Sequence, residues 1–250
     1  MKSLQKDKLH VCICKDRKEM GAMAAKKGLE FLRKLLDSQE EVNVIFAAAP
    51  SQMEMFNKLV QEENLEWNRV NAFHMDNYIG LSDDAPQQFS RFLKDHLFSK
   101  LNLKNIYYLG NSKEDAEKYS ALLATHKPDI CFMGIGENGH IAFNDPINAY
   151  FDDKKTVKVV ELDNMCRQQQ VNEKLFDTFD DVPTHAITLT IPTLMKSRHI
   201  ICTVPGKNKA KAAKNMLEGP ISEDCPASIL REHNSAYLFL DEYAAGILKK

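Results

Sequence analysis

The stretch Asp129-Ile-Cys-Phe-Met-Gly-Ile-Gly-Glu-Asn-Gly-His-Ile-Ala-Phe-Asn-Asp-Pro146 decides how this chain is read. Its apolar, partly β-branched run from Ile130 to Ile135 predicts a buried strand. Gly134, Gly136 and Gly139 follow in quick succession, where the backbone can turn sharply and pass close to a ligand. His140 comes next, and Asp145 stands shortly after it, before Pro146. A titratable imidazole on a glycine-built turn at a strand's carboxyl end, with a carboxylate in reach, suits proton transfer.

The same glycines fit G-x-G-x-x-G, the dinucleotide fingerprint, which requires a helix opening at the third glycine. After Gly139 the chain offers Pro146, Asn144 and Asn148 and no 3.6-residue apolar stripe. Glu161 does lie at a ribose-contact spacing, but the missing helix makes nucleotide binding the weaker reading. No cofactor is expected.

Outward from this segment, apolar β-rich runs alternate with amphipathic stretches. The pattern predicts strands over 9–14, 42–49, 70–75, 106–109, 130–136, 156–162, 186–189, 199–204 and 236–240. It predicts helices over 17–36, 51–61, 86–98, 113–126, 164–176 and 207–217. Such alternation implies an α/β fold, a mainly parallel sheet with helices on both faces. Ser51 is expected to cap its own helix, and Ser112, with Asp115 three residues on, to open another. Ligands of such sheets bind at the carboxyl ends of the strands, where the loops opening at Ala47, Met75 and Gly134 should emerge together. No repeat, low-complexity tract or linker interrupts the chain, so residues 1–250 are expected to form one domain.

The composition narrows the partners. Apolar residues make up 44% and charged residues 27%, as in ordinary globular proteins. A net charge of −2 gives no electrostatic footprint for nucleic acid or an acidic membrane. No apolar run approaches the ~18 residues of a membrane span, and the N-terminus lacks a signal peptide's apolar core. Six cysteines are scattered without a Cys-x-x-Cys pair, which suggests a reduced, cytoplasmic protein with no metal site. Cys12 and Cys14 are expected on opposite faces of their strand, which argues against a paired-thiol site.

Further loops carry candidate chemistry. Asp76 lies just past the apolar run Val70-Asn-Ala-Phe73, where a sheet holds a carboxylate rigidly and partial burial raises its pKa; a loop-capping aspartate is the plainer alternative. His74, within the strand, is expected to be a satisfied core histidine. Ser51 follows a strand and opens a helix, a place for either an anion or a simple cap. Lys207 and Lys209 follow Gly206 at another helix start, where cations oppose the macrodipole unless an anion is bound. A solvated lysine face explains them equally well.

Met75-Asp76-x-Tyr78-x-Gly80-Leu81, then Gly134-x-Gly136-x-Asn138-Gly139-His140-Ile-Ala-Phe-Asn144-Asp145-Pro146, then Gly206-x-x-Lys209-Ala resemble the glucosamine-6-phosphate deaminase (isomerase) family. The resemblance implies a Rossmann-like sheet with additional smaller elements, and residues 147–181, polar and rich in loop formers, are expected to close over bound sugar as a lid. It implies conversion of glucosamine 6-phosphate and water to fructose 6-phosphate and ammonia, with no nucleotide or metal required. Asp76 then corresponds to the group moving a proton between C2 and C1, and His140 to the group opening the sugar ring. Asp145 stands where a glutamate usually orients that imidazole, and Asn138 where several members have aspartate. Gly136 and Gly139 correspond to positions passing close to the substrate, and Lys209 to the phosphate-binding lysine.

The departures are instructive. The family's Thr-Gly-Gly-Thr-Pro loop is replaced by Ala48-Ala49-Pro50-Ser51-Gln52, in which Ser51 alone keeps a hydroxyl. The usual Thr-Arg-x-x-Asn-x-Arg segment is replaced by Cys166 to Lys174. There the resemblance sets Arg167 and Asn172 against the family's first arginine and its asparagine, Lys174 stands for the phosphate-clamping arginine, and Gln168 to Gln170 offer amides to sugar hydroxyls. A galactosamine-6-phosphate isomerase is therefore a realistic alternative. A 6-phosphogluconolactonase usually shows Asp-Glu-Arg and Gly-x-Asp-Gly-His-Thr-Ala-Ser in these loops, a poorer match. A sugar-phosphate sensor would accompany a DNA-binding module, for which no basic face is evident. The expected partner is a hexosamine 6-phosphate, and a homo-oligomer is compatible with a family ranging from monomers to hexamers.

Overall fold

Every run read above as a strand pairs in one of two sheets in the computed structural model, which describes residues 1–82 and 84–249. The strands are β1 (Lys2–Lys6), β2 (Leu9–Cys14), β3 (Val42–Phe46), β4 (Val70–His74), β5 (Asp76–Tyr78), β6 (Asn105–Tyr107), β7 (Ile130–Met133), β8 (Val157–Glu161), β9 (His185–Leu189), β10 (His199–Val204) and β11 (Ala236–Asp241). The helices are α1 (Arg17–Leu36), α2 (Met53–Leu59), α3 (Phe89–His96), α4 (Lys113–Thr125), α5 (Asn164–Asn172), α6 (Ile191–Met195) and α7 (Ala210–Glu218). The main sheet runs β1-β2-β11-β10-β7-β3-β4-β6, parallel throughout except for β1 at its edge.

Side-chain alternation splits the interior in two. Val44 and Phe46 of β3, with Ile130 and Phe132 of β7, face the core shared with α1 and α2. Ile45, Cys131 and Met133 face the opposite core, with α4 and α7. Because these central strands are covered on both faces, they read as continuous apolar runs. The strand order reverses between β3 and β7, so the loops leaving their carboxyl ends diverge and open a crevice there.

A second sheet, β5-β9-β8, is antiparallel and grows from the carboxyl end of β4. The backbone N–H of Leu189 binds the Met75 carbonyl at the junction. The segment over 147–181, expected as a polar lid, therefore contains a paired strand and a helix as well as loops. Its polarity is built into that structure: Glu161 of β8 is exposed, whereas Lys158 is buried and bonded to Asp153 and the Asn148 carbonyl.

Other details bear out the sequence reading at one helix start and correct it elsewhere. Ser112 caps α4 in a full capping box with Asp115. Ser51 caps nothing, because it lies inside the 3₁₀ turn Pro50–Gln52 that precedes α2. Cys12 and Cys14 share a face, as residues two apart in a strand must, and their sulfurs lie 3.7 Å apart. His74 is buried but not satisfied: both ring nitrogens lack a partner among the described residues. Desolvation lowers its pKa to about 3, so the ring is neutral.

Candidate active site

The crevice at the carboxyl ends of β3, β4 and β7 is a half-open cleft. Ala47, Ala48, Ala49 and Ser51 line it from the loop after β3, Met75 and Asp76 from the β4–β5 junction, and Gly134 to Gly136 from the loop after β7. His140, Gln169, Gln170, Glu173 and Lys209 complete its polar lining. Asp76, His140 and Lys209, far apart in sequence, thus face one shared space.

Asp76 opens β5, where pairing with β9 fixes its backbone opposite Thr188. The side chain is buried, and its Oδ1 has no hydrogen-bond partner among the described residues. Desolvation without a compensating donor raises its pKa to about 8. A carboxyl so placed can take up or release a proton near neutral pH.

His140 is held by its loop. Gly139 adopts φ +88°, which glycine takes without strain, and a Cβ there would meet Cys225 Sγ at 2.8 Å. The turn closes through Gly139 N–H to the Gly136 carbonyl and Gly136 N–H to the His140 carbonyl. The imidazole then lies directly over Gly136, where a Cβ would come within 2.1 Å of the ring. Gly136 lines the cleft, whereas Gly139 lies outside the lining and serves the turn.

Behind the imidazole is a polar chain. His140 Nδ1 lies 2.9 Å from Asp145 Oδ1, a close polar contact that falls off the line of a well-aligned hydrogen bond. With Nδ1 directed at Asp145, Nε2 is the nitrogen left for the cleft. Burial alone would raise the Asp145 pKa, but His140, the Asn138 amide and the Asp163 N–H together hold it below the usual range. Asn138 Nδ2 donates to Asp145 Oδ1 at 3.0 Å and to Asp163 Oδ2 at 2.8 Å, while its Oδ1 accepts the His140 N–H. Asp163 also caps α5 by accepting the Cys166 N–H. Asn138 and Asp145 thus support His140 from outside the cleft lining.

His140, Asp145 and Cys166 bring donor atoms within 4.8 Å of one another. Burial, with Asp145 and Asp163 nearby, pushes the Cys166 thiol far up, so it remains protonated. A metal would need the thiolate, which makes the trio a poor cation site.

At the other end of the cleft, Gly206 N–H donates to both carboxylate oxygens of Asp241, which anchors the turn leading to Lys209. Lys209 is buried and faces the cleft, while Lys207 is exposed. The helix-start lysines therefore divide into one inward and one solvated group. Lys209 is the only lysine or arginine among the described residues lining the cleft. Its Nζ lies 3.1 Å from Glu173 Oε1.

The segment from Cys166 to Lys174 departs most from expectation. Arg167 stacks on Phe179 and donates to the carbonyls of Phe179 and Val182, so it braces the loop instead of meeting a ligand. Lys174 is exposed, outside the cleft lining, and follows the end of α5 with φ +60°. Gln168 is exposed too, while Gln169 and Gln170 are buried at the cleft. The 3.6-residue period turns those two inward with Glu173, a signal that a helical-wheel reading from Asn164 would have caught. Asp163 and Glu173 pair with Asn138 and Lys209, which are distant in sequence, so no motif singles them out.

Comparison with known proteins follows the same lines. A model of the family described as glucosamine-6-phosphate isomerases/6-phosphogluconolactonase matches residues 15–239. The chain is 38% identical over 192 residues to a protein named glucosamine-6-phosphate deaminase from Exiguobacterium sibiricum, covering 75% of this chain and 74% of that one. Identity to a Listeria innocua protein of the same name is 35% over 228 residues, 90% of this chain and 95% of the other. A solved structure described as a monomeric glucosamine-6-phosphate deaminase matches with a TM-score of 0.85 at 29% identity, over 95% of this chain and 99% of that one.

Proposed function

The chain belongs to the family of glucosamine-6-phosphate isomerases and 6-phosphogluconolactonases, and from that membership we propose that it deaminates and isomerises a hexosamine 6-phosphate. Glucosamine 6-phosphate and water become fructose 6-phosphate and ammonia, with residues 1–250 acting as one domain. The observation that carries this reading is the cleft itself: a carboxyl whose pKa is about 8, an imidazole backed by a carboxylate and one buried ammonium all line it.

Each group has a task suited to its surroundings. His140, through Nε2, moves a proton from O1 to O5 and opens the pyranose, while Asp145 steadies the imidazolium that forms in between. Asp76 in its ionised form takes the hydrogen from C2 and returns it to C1, passing through an enolamine. Water then adds to the imine carbon at C2, and ammonia leaves. Burial keeps Asp76 basic enough for the first transfer and acidic enough for the second. Lys209 binds the phosphate, and that distant contact sets the sugar's register against Asp76 and His140. Gln169 and Gln170 lie where sugar hydroxyls would pass.

Incubation with glucosamine 6-phosphate should release ammonia and fructose 6-phosphate in equal amounts. Absence of ammonia together with rapid hydrolysis of 6-phosphogluconolactone would replace this reading with the lactonase one.

A further inference from the structure

Lys209 is an odd anion receptor, because its charge is already matched. Its side chain is 6% exposed and that of Glu173 18% exposed. Gln169 Nε2 donates to the same Glu173 oxygen at 2.9 Å. Gln169 is itself fixed by the Glu137 N–H at 2.8 Å, and the Glu137 carboxylate accepts from Asn208, the neighbour of Lys209. The carboxylate is thus set into the anion end of the cleft by a connected network.

Local rules argue against a glutamate at this position. Glu173 ends α5, where a negative charge meets the negative end of the helix dipole. The next residue, Lys174, takes a left-handed conformation without being glycine. Two unfavourable choices in succession, both at the point where α5 meets the cleft, mark a functional placement. A dianionic phosphate cannot share a buried site with an adjacent carboxylate at low cost.

We propose that Glu173 is a built-in competitor for the anion subsite, holding Lys209 until a substrate phosphate displaces its carboxylate. Glu173 thereby sets the affinity of the cleft for phosphorylated sugars. The carboxylate has somewhere to go: it retains partial solvent access, and the helix ends at its own residue. With the cleft empty it neutralises a lysine that would otherwise be buried without a counter-ion. The inference rests on the reading of Lys209 as the phosphate-binding group.

The test compares wild type with Glu173→Gln, which keeps shape and hydrogen-bonding capacity, and with Glu173→Ala. Inorganic phosphate binding is measured by calorimetry, and KM and kcat are measured for glucosamine 6-phosphate. Both variants should bind phosphate about tenfold more tightly, equivalent to about 1.4 kcal/mol, and KM should fall by more than kcat changes. Unchanged or weaker phosphate binding in Glu173→Gln would overturn the proposal, making the glutamate a permanent support for Lys209. If wild type releases no ammonia yet phosphate binding tightens in the variants, the competitor stands and the deaminase reading fails. Turnover without tightening gives the reverse.

Discussion

Asp76 and Asn138 show how much one side chain's surroundings decide. Asp76 has no donor to stabilise its charge at Oδ1, and burial raises its pKa to about 8. Since the base must be ionised, kcat/KM should climb with pH through a limb near 8, absent from Asp76→Asn. That variant should lose about 10²- to 10⁴-fold in kcat, the usual contribution of a general base. Retention of activity would remove Asp76 from the proton path. Asn138 bridges two carboxylates with one amide, so Asn138→Asp would set a third oxygen anion against them. We expect a loss of about 1–3 kcal/mol, read from urea midpoints at pH 7; an unchanged midpoint would show that the bridge carries little. His140, Asp145 and Asn138 were legible in the sequence because one short turn contains them all. The pairings of Glu173 with Lys209 and of Asp163 with Asn138 were not, since contacts across 36 and 25 positions leave no local trace, although helical period alone turns Glu173 toward the cleft.

At the scale of elements, hydrophobic period gave the buried strands and missed the elements that lack it. β1, Lys-Ser-Leu-Gln-Lys, is largely exposed and owes its form to antiparallel pairing with β2, not to an apolar pattern. β5 spans three residues, too few for alternation to register. α5 stops at Asn172, although the pattern predicts a helix to 176, and no glycine marks its end. The Leu175 N–H instead reaches the Gln170 carbonyl and the Lys174 N–H the Val171 carbonyl, a closing geometry that usually recruits glycine. Lys174→Gly should therefore stabilise the fold by about 1 kcal/mol, seen as a higher melting temperature. A lower melting temperature would mean that the unfolded chain's added freedom outweighs the relieved strain.

For the whole molecule, the sheet order does what no segment can. β10 and β11 insert between β2 and β7, and β7 lies beside β3, so loops after β4, β7 and β10 converge on one cleft. Strand composition gave the class of fold but not this order, because similar apolar runs can pair in many ways. The price of convergence is a pair of buried titratable groups with opposite demands. His74, with its pKa lowered to about 3, remains neutral when folded but gains a proton on unfolding once the pH falls below its ordinary 6.5. Its contribution is fully present above that value and is lost as pH falls toward 3. Asp76 works the other way: its pKa rises from 3.8 to about 8. Its contribution is fully present below 3.8 and is lost as pH rises through 8, because unfolding releases a proton that the fold retains. Asp76→Asn keeps the neutral shape at every pH, so it should melt close to wild type near pH 4 and at an increasingly higher temperature toward pH 9. Parallel melting curves across that range would show that the folded protein places no penalty on the ionised carboxylate, and the base assigned to Asp76 would lose its physical basis.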